Sequence, residues 1–330
     1  MAMTLDNVKS RVRIRNKLSG HFETVDGLRQ GDPLSTLLFN ITLEKAVRGV
    51  NIDKHGTIFI KSGQLLAYAD DIDIMGRNIM TVKDAFESLN REASVLGLKV
   101  NADKTKYMVA TNASGIRGQT VNIGEYNFEI VNSFVYLGSL LNVENDIEEE
   151  IRRRIAIGNR CYYGLKKQFQ SKTLQRKLKC KLYKTLVRPI LTYGSEAWCM
   201  TQNQEQLLRI FERRILRGIF GPVKEQNVWR RRYNFEIEKL YGEPNIVSTI
   251  KINRLRWLGH VTRMEGERVP KKLLNGVPEG RRRAGRPKAR WLDAVNGDIK
   301  ILKIRDWKTL AADRSGWRSM LEKAKTAPGF

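Results

Sequence analysis

The sequence predicts an α+β fold, a strand-rich N-terminal part followed by a helical remainder. Three observations carry that prediction. Alternation of apolar and polar residues is concentrated in the first 143 residues. Apolar spacing of i, i+3, i+4, i+7 takes over after Asp146. Charge divides at the same place: residues 1–143 hold 17 basic and 15 acidic residues, and residues 144–330 hold 43 and 20. Nearly all of the net charge of +25, and all six tryptophans, therefore sit in the second part. Such asymmetry points to a near-neutral unit joined to one that holds a polyanion, with nucleic acid ahead of an anionic membrane surface.

Several classes are excluded. Hydrophobic residues make up 41%, enough for a real core. No run of 18 apolar residues exists, and the first 30 residues lack a signal-peptide core, which disfavours a membrane span and standard secretion. Cys161, Cys180 and Cys199 cannot build a disulfide framework or close a four-ligand zinc site. A reduced intracellular compartment is the simple reading.

Val8 to Asn16 alternates as a strand, Ser19-Gly20 can turn the chain, and His21 to Val25 can return as its partner. Asp32 suits an N-cap and Pro33 a first helical position. Leu34, Leu37, Leu38 and Ile41 then form a helical stripe that Gly49 closes. Residues 56–61 and 64–75 read as strands, with Asp70-Asp71 at a hairpin tip. Thr81 with Asp84 resembles a capping box, followed by Val82, Ala85, Phe86, Leu89, Ala93 and Leu96 on one face, and Gly97 ends that helix. Residues 106–111, 119–123, 127–131 and 134–141 read as short strands.

Three helical stripes follow: Ile147, Ile151, Ile155, Tyr162, Leu165 and Phe169; then Leu174, Leu178, Leu182 and Leu186, ended near Pro189; then Leu207, Phe211, Ile215 and Ile219, ended by Gly221-Pro222. Short connections make them a bundle. Residues 222–330 hold helical stretches around 247–258 and 288–303, flanking a Gly/Pro/Arg-rich link at 276–287. No internal repeat is present.

Asp70-Asp71 carries the chemistry. Adjacent carboxylates between apolar flanks repel, and a bound divalent cation relieves them. Mg²⁺ prefers hard carboxylate oxygens and keeps positions for water and phosphate oxygens. Two such ions about 3.5–4 Å apart clamp the attacking and leaving oxygens of a phosphoryl transfer. Alone, an Asp-Asp pair is better explained as an ordinary polar turn, so the context decides.

That context is Gly27-Leu28-Arg29-Gln30-Gly31-Asp32-Pro33-Leu34-Ser35 followed by Tyr68-Ala69-Asp70-Asp71. The ordered pair resembles motifs B and C of the reverse transcriptases, most closely those of non-LTR (LINE-type) retrotransposons. Gly97-Leu98-Lys99-Val100-Asn101 through Lys104-Thr105-Lys106 resembles motif D, and Phe134-Val135-Tyr136-Leu137-Gly138 the primer-grip motif. The basic helices after Asp146 are similar to the family's thumb. Leu191 to Trp198 and Arg254 to His260 are similar to later sequences of such elements.

The resemblance implies a partial polymerase palm (1–143, antiparallel sheet with helices), an α-helical thumb bundle (144–221) and a basic, mostly helical C-terminal region (222–330). It implies RNA-directed DNA polymerase activity, the addition of deoxynucleotides to a primer 3′-OH by two-metal catalysis. Asp70 and Asp71 would be the catalytic, metal-binding carboxylates, with Mg²⁺ as cofactor and Mn²⁺ as its substitute. Tyr68, Ala69, Arg29, Gln30, Gly31, Leu34 and Ser35 would line the nucleotide and primer site, Gly31 because only bare backbone comes that close. Lys104 would sit near the triphosphate, against the alternative of a solvated lysine. Tyr136, Leu137 and Gly138 would hold the primer terminus, against ordinary strand packing. Asp73 shares a strand face with Asp71 and reads as a solvated residue or a support to the site. The implied partners are an RNA template, a DNA primer, dNTPs and nicked target DNA, with no membrane and no zinc.

The family's third carboxylate, on motif A, should precede Gly27 by several tens of residues. The 26 residues present there offer only Asp6 and Asp26, neither in an apolar strand-like segment. Fingers motifs and an upstream endonuclease domain are also missing. The expectation is the back two-thirds of a polymerase with little or no activity of its own. The other open reading is a non-catalytic nucleic-acid-binding relic that uses the thumb and C-terminal region.

Glu148, Glu149 and Glu150 precede Arg152, Arg153 and Arg154 by four residues each, so that cluster is expected to satisfy itself. Arg209, Arg213, Arg214 and Arg217 show no such partners and are the nucleic-acid candidates. Gly280-Arg281-Arg282-Arg283-Ala284-Gly285-Arg286-Pro287-Lys288 is similar to an AT-hook core; Arg281, Arg282, Arg283, Arg286 and Lys288 would enter a narrow minor groove or act as a nuclear localisation signal. A nuclear location is favoured on that basis. His260 and Cys199 lack the clustered partners of a zinc knuckle. Most tryptophans are assigned to helix packing, with base stacking as the alternative.

Overall fold

The computed structural model describes residues 8–24, 31–50, 63–110, 120–276, 290–327 and 330. The chain divides into two compact units, residues 1–102 with 122–126 and residues 103–121 with 127–330. Residues 127–143, grouped by sequence with the first part, lie in the second unit.

In the first unit, β1 (Val8–Ser10) pairs antiparallel with β4 (Phe22–Thr24), and β2 (Arg13–Ile14) with β3 (Lys17–Leu18). The expected hairpin is present, but Ser19-Gly20 does not turn it. The chain reverses at Arg15-Asn16, with Arg15 at φ +55°. Between the two pairs, Arg11-Val12 oppose Ser19-Gly20-His21, a two-against-three bulge. The Ser19 hydroxyl accepts from the Val12 amide at 2.9 Å, so this segment bends the strand.

Helix α1 (Pro33–Gly49) starts as the sequence predicts: Asp32 Oδ1 accepts from the Leu34 amide at 3.0 Å. Its buried face is not the predicted stripe. Leu37 and Ile41 are 56% and 59% exposed, whereas Leu43, Ala46 and the following Val50 are buried. Strands β5 (Gly63–Tyr68) and β6 (Asp71–Gly76) form the expected hairpin; the strand expected at 56–61 lies outside the described residues. Helix α2 (Ile79–Val95) is capped three residues before the predicted cap, by Asn78, whose side chain accepts from the Thr81 amide at 2.9 Å. Ala85, Phe86, Leu89 and Ala93 are buried as their spacing predicts. Gly97, at φ +75°, closes the helix. Its amide donates to Ser94 and that of Leu98 to Ala93, the paired bonds of a Schellman end.

In the second unit β7 (Lys106–Tyr107) is shorter than the expected strand. β8 (Thr120–Ile123) and β9 (Tyr126–Ile130) flank the turn at Gly124-Glu125; residues 122–126, this turn included, belong to the first unit and the rest of both strands to the second. β7 runs parallel to β9, and Lys106 Nζ reaches Glu129 at 2.6 Å. The strand expected over 134–141 is instead a hairpin, β10 (Ser133–Tyr136) with β11 (Ser139–Asn142). Leu137 and Gly138 form its two-residue turn at φ +45° and +80°. Positive φ at both positions is the hairpin turn that matches strand twist; a leucine there gives no compositional signal.

The helices are α3 (Glu148–Gly164), α4 (Lys166–Gln170), α5 (Arg176–Leu182), a π-helical turn Tyr183–Val187, α6 (Arg188–Thr192), a 3₁₀ turn Ser195–Ala197 and α7 (Gln202–Phe220). The leucine stripe expected on α5 meets the core only in part: Leu182 packs against it, while Leu178 and Leu186 are exposed. Tyr183 and Val187, at the two ends of the π turn, and Leu191 in α6 are buried. Pro189 sits inside the first turn of α6 and does not end the run.

After α7 come β12 (Val223–Glu225), β13 (Val228–Arg230), α8 (Asn234–Tyr241), α9 (Ile246–Thr262), α10 (Val269–Asn275), α11 (Trp291–Ile301), α12 (Trp307–Ala312) and α13 (Arg314–Ala324). One core joins Ile151, Phe169, Leu208, Phe211 and Ile215 to Ile237, Ile246 and Ile250. It runs through the sequence-based division at 221. A second core gathers Leu255, Leu258, Val295, Ala311 and Trp317.

Candidate active site and nucleic-acid interface

The β5–β6 register fixes what each face of the first unit's hairpin does. Leu65 pairs with Ile74 and Ala67 with Ile72. Leu65, Ile72 and Ile74 pack against Ala46, Val50 and Leu89. Alternation puts Leu66, Tyr68, Asp71 and Asp73 on the opposite face. Tyr68 is exposed and stands directly across from Asp71. Ala69 and Asp70 form the two-residue turn, with Ala69 at φ +52°, a conformation rare for a residue with a Cβ. The twin acids therefore sit at the end of a tight bend. Asp73 is not fully solvated as expected: it is half-buried, and desolvation raises its pKa from the ordinary aspartate value.

Hard carboxylate oxygens at the tip suit a magnesium ion in kind. In number they are short, since no group of three or more metal-ligating side chains occurs among the described residues. Asp6, Asp26, Arg29 and Gln30 lie outside the described residues. Gly31 takes φ +92° just before α1, as a glycine loop requires. Leu34 is half-buried, and Ser35 is buried with an Oγ that finds no partner among the described residues. Lys104 belongs to the second unit and is exposed.

Tyr136, Leu137 and Gly138 stand at the β10–β11 tip, which is anchored to the helices of its own unit. Tyr193 Oη donates to the Leu137 carbonyl at 2.8 Å. Arg153 and Arg154 donate to the Gly138 carbonyl at 3.0 and 2.6 Å. Buried Glu150 accepts from the Leu140 amide at 3.1 Å and from Arg154 at 2.6 Å. The Arg154 guanidinium lies 4.6 Å from the Tyr193 ring centroid. An open cleft of about 540 Å³ lies between the tip and the Thr192–Gly194 turn. Sequence reasoning does not single out Tyr193 as the anchor of this tip, although the segment Leu191 to Trp198 stands out; Gly194, at φ +69°, is the available sign of a turn.

The arginine expectations hold in part. Arg152 pairs with Glu148 and Arg154 with Glu150, both four residues apart. Arg153 uses Glu150, three residues back, and Glu149 accepts from Asn142. Arg209 is a correction: it pairs with Glu205 at 3.0 Å, one helical turn earlier on α7. Arg213 donates to the Arg209 carbonyl, Arg214 to Asn159, and Arg217 to Asn234 and the Arg232 carbonyl. None of these three pairs with a carboxylate among the described residues. Arg281, Arg282, Arg283, Arg286 and Lys288 lie outside the described residues. No helix among the described residues is long and apolar enough to cross a membrane.

Residues 1–141 match the family model for reverse transcriptase (RNA-dependent DNA polymerase). The chain is 27% identical over 273 residues to a transposon-derived protein of Caenorhabditis elegans, covering 79% of this chain and 96% of that protein. It is 22% identical over 232 residues to a Pol polyprotein from a type-1 retrotransposable element R2 of Popillia japonica, covering 66% of this chain and 36% of the polyprotein. A Pol polyprotein from a type-2 R2 element of Drosophila melanogaster is 30% identical over 101 residues, 9% of its length. The chain thus spans about a third or less of these polyproteins. Residues 1–141 are thus similar to the reverse transcriptase (RNA-dependent DNA polymerase) domain, and the chain as a whole is similar to proteins of transposable elements, R2 Pol polyproteins among them.

Proposed function

We propose that this chain supplies palm and thumb functions to template-directed DNA synthesis by a non-LTR retrotransposon, on an RNA template with a DNA primer. The palm is assigned to residues 1–143, the thumb to 144–221 and a basic nucleic-acid-binding region to 222–330. The observation that carries the reading is the Tyr68-Ala69-Asp70-Asp71 bend, whose register brings Tyr68 and Asp71 side by side at a hairpin end.

Asp70 and Asp71 would hold Mg²⁺, which supplies charge neutralisation for the attacking 3′-oxygen and the leaving pyrophosphate. Tyr68 offers an exposed ring for the primer end. Gly31, Leu34 and Ser35 would border the incoming dNTP, with Arg29 and Gln30 beside them, and Lys104 would meet its phosphates. Tyr136, Leu137 and Gly138 would support the primer strand, and Arg213, Arg214 and Arg217 would contact phosphates. The Arg/Pro segment 281–288 would add minor-groove contacts in nicked target DNA and direct the protein to the nucleus.

Two adjacent aspartates are few for two ions, so the isolated chain would incorporate nucleotides weakly. Primer extension with Mg²⁺ or Mn²⁺ tests this. Incorporation that vanishes in Asp70→Ala supports the catalytic assignment. Incorporation indifferent to Asp70→Ala and Asp71→Ala removes it. The second reading is a non-catalytic nucleic-acid-binding relic that uses the thumb and the C-terminal region. It predicts template–primer binding without incorporation under either metal.

A further inference from the structure

Residues 193–198 lie between α6 and α7 and hold the β10–β11 tip at one end. Tyr193 donates to the Leu137 carbonyl, and Gly194 comes so near the hairpin that a Cβ there would meet Ser139 Oγ at 3.1 Å. Left-handed Gly194 leads into the 3₁₀ turn Ser195–Ala197. Ser195 is buried, and its hydroxyl donates to the Thr192 carbonyl at 2.7 Å. A segment this short and this constrained passes a shift at one end to the other.

The far end is held from a different side. Trp291, the first residue of α11, donates from Nε1 to the Glu196 carbonyl at 2.7 Å. Arg254 of α9 donates to the Trp198 carbonyl at 2.7 Å. That guanidinium is buried and is itself fixed by two bonds to Asp298 Oδ2, at 2.9 and 2.6 Å. Trp291 and Asp298 are two helical turns apart on α11, so one face of that helix serves both contacts. Bonds from planar donors to backbone carbonyls are directional and fix a position that apolar packing alone would leave loose.

A two-stranded hairpin is marginal by itself, so the tip stands where outside donors hold it. The Gly138 carbonyl takes Arg153 and Arg154 from α3, whereas the Leu137 carbonyl takes Tyr193, whose own place is set through residues 194–198. We infer that residues 193–198 are a strut, and that Trp291 is a positioning residue for the β10–β11 tip. This rests on the reading that Tyr136, Leu137 and Gly138 support the primer strand, and adds that their placement is set from α11. Trp291 touches no nucleic acid in this role; it acts through Glu196 and Tyr193.

Trp291→Phe removes the indole N–H and keeps a ring against the second core; Tyr193→Phe removes the other end of the strut. The full chain is titrated into a recessed template–primer carrying 2-aminopurine at the primer 3′ terminus, beside a blunt duplex of equal length. Each variant should weaken recessed-primer binding and the 3′-terminal signal about two- to tenfold, the equivalent of one hydrogen bond, and leave blunt-duplex binding unchanged. The double variant should lose no more than the larger single loss, because both substitutions act through one path. Trp307 is a half-buried tryptophan of the same core, and Trp307→Phe should match the wild type. Equal losses in Trp307→Phe, or additive losses in the double variant, would overturn the inference. Tyr136→Ala reads the primer assignment by itself. If it abolishes the 3′-terminal signal while Trp291→Phe and Tyr193→Phe keep it, the strut is wrong and the primer reading stands. If it changes nothing, both fall.

Discussion

The Tyr193 hydroxyl donates to the carbonyl oxygen of Leu137 at 2.8 Å, tying the turn after α6 to the tip of the β10–β11 hairpin. A left-handed leucine at a hairpin tip is strained backbone. Its conformation persists because Tyr193, Arg153 and Arg154 take both tip carbonyls. The strand-like residues 133–142 are thus held by the helical bundle of their own unit.

Removing these ties should have graded effects. Tyr193→Phe deletes one hydrogen bond to a carbonyl that water can reach, for a loss of about 0.5–1.5 kcal/mol. Arg154→Ala leaves buried Glu150 with a weakened partner set and should cost about 3–5 kcal/mol. Thermal unfolding reads both changes. Hydrogen exchange should quicken over residues 133–142 in Tyr193→Phe and leave α7 unchanged; protection lost evenly across both would show that the hydroxyl has no local role.

Asp73 predicts a pH signature. Desolvation raises its folded-state pKa above the unfolded value of 3.8, so the folded state binds the proton more tightly than the unfolded one. Its contribution is most favourable below the unfolded value and is lost as pH rises through the raised folded value. Asp73→Asn should therefore match the wild type at the acid end and become the more stable of the two toward neutral pH. Melting curves across that range check the sign. A wild type that gains on the variant with rising pH would reverse it. Magnesium that narrows the neutral gap would connect Asp73 to the Asp70-Asp71 tip.

The arginines of α7 should differ in nucleic-acid binding. Arg209 is engaged by Glu205, so Arg209→Ala should barely change affinity for a template–primer duplex. Arg213→Ala and Arg217→Ala each remove a cation with no carboxylate partner. Each lost phosphate contact should lower the slope of log affinity against log salt by about 0.9. Titrations at several salt concentrations separate the cases; equal slopes for all three variants would place the contacts elsewhere.

The sequence made legible what depends on local spacing and caps. The α2 face, its Gly97 end and the Asp32 start of α1 follow from side-chain size and backbone freedom over a few residues. The β5–β6 bend was legible for the same reason. The failures share a different cause. The α1 helix carries apolar residues on two sides, and tertiary packing chose Leu43 and Ala46 over Leu37 and Ile41. Past Leu182 the chain enters a π turn that buries Tyr183 and Val187 and leaves Leu186 exposed, and a wider turn has no composition of its own. Arg209 is not free: Glu205, one turn before it, has the same four-residue spacing as Glu148 to Arg152.

Glu212 is the residue that periodicity hides most completely. It lies beside the Phe211–Ile215 stripe of α7, where a carboxylate reads as the solvated edge, yet it is buried. One oxygen accepts from Tyr183 Oη at 2.9 Å and Arg188 at 2.7 Å; the other accepts from the Ile246 amide at 2.7 Å, at the start of α9. Burial alone would lower the Arg188 pKa, but the adjacent Glu212 charge outweighs it and raises that pKa above its ordinary value. Glu212→Ala would leave a buried guanidinium unpaired and a helix-start amide unsatisfied, costing about 3–5 kcal/mol. Combining it with Arg188→Met removes the stranded charge and should recover part of that loss, because a buried pair can be replaced by apolar groups more cheaply than broken. Denaturant unfolding of the two single variants and the double variant measures the coupling. Additive losses would mean that Glu212 and Arg188 stabilise the bundle independently, and that the Ile246 amide is what Glu212 chiefly serves.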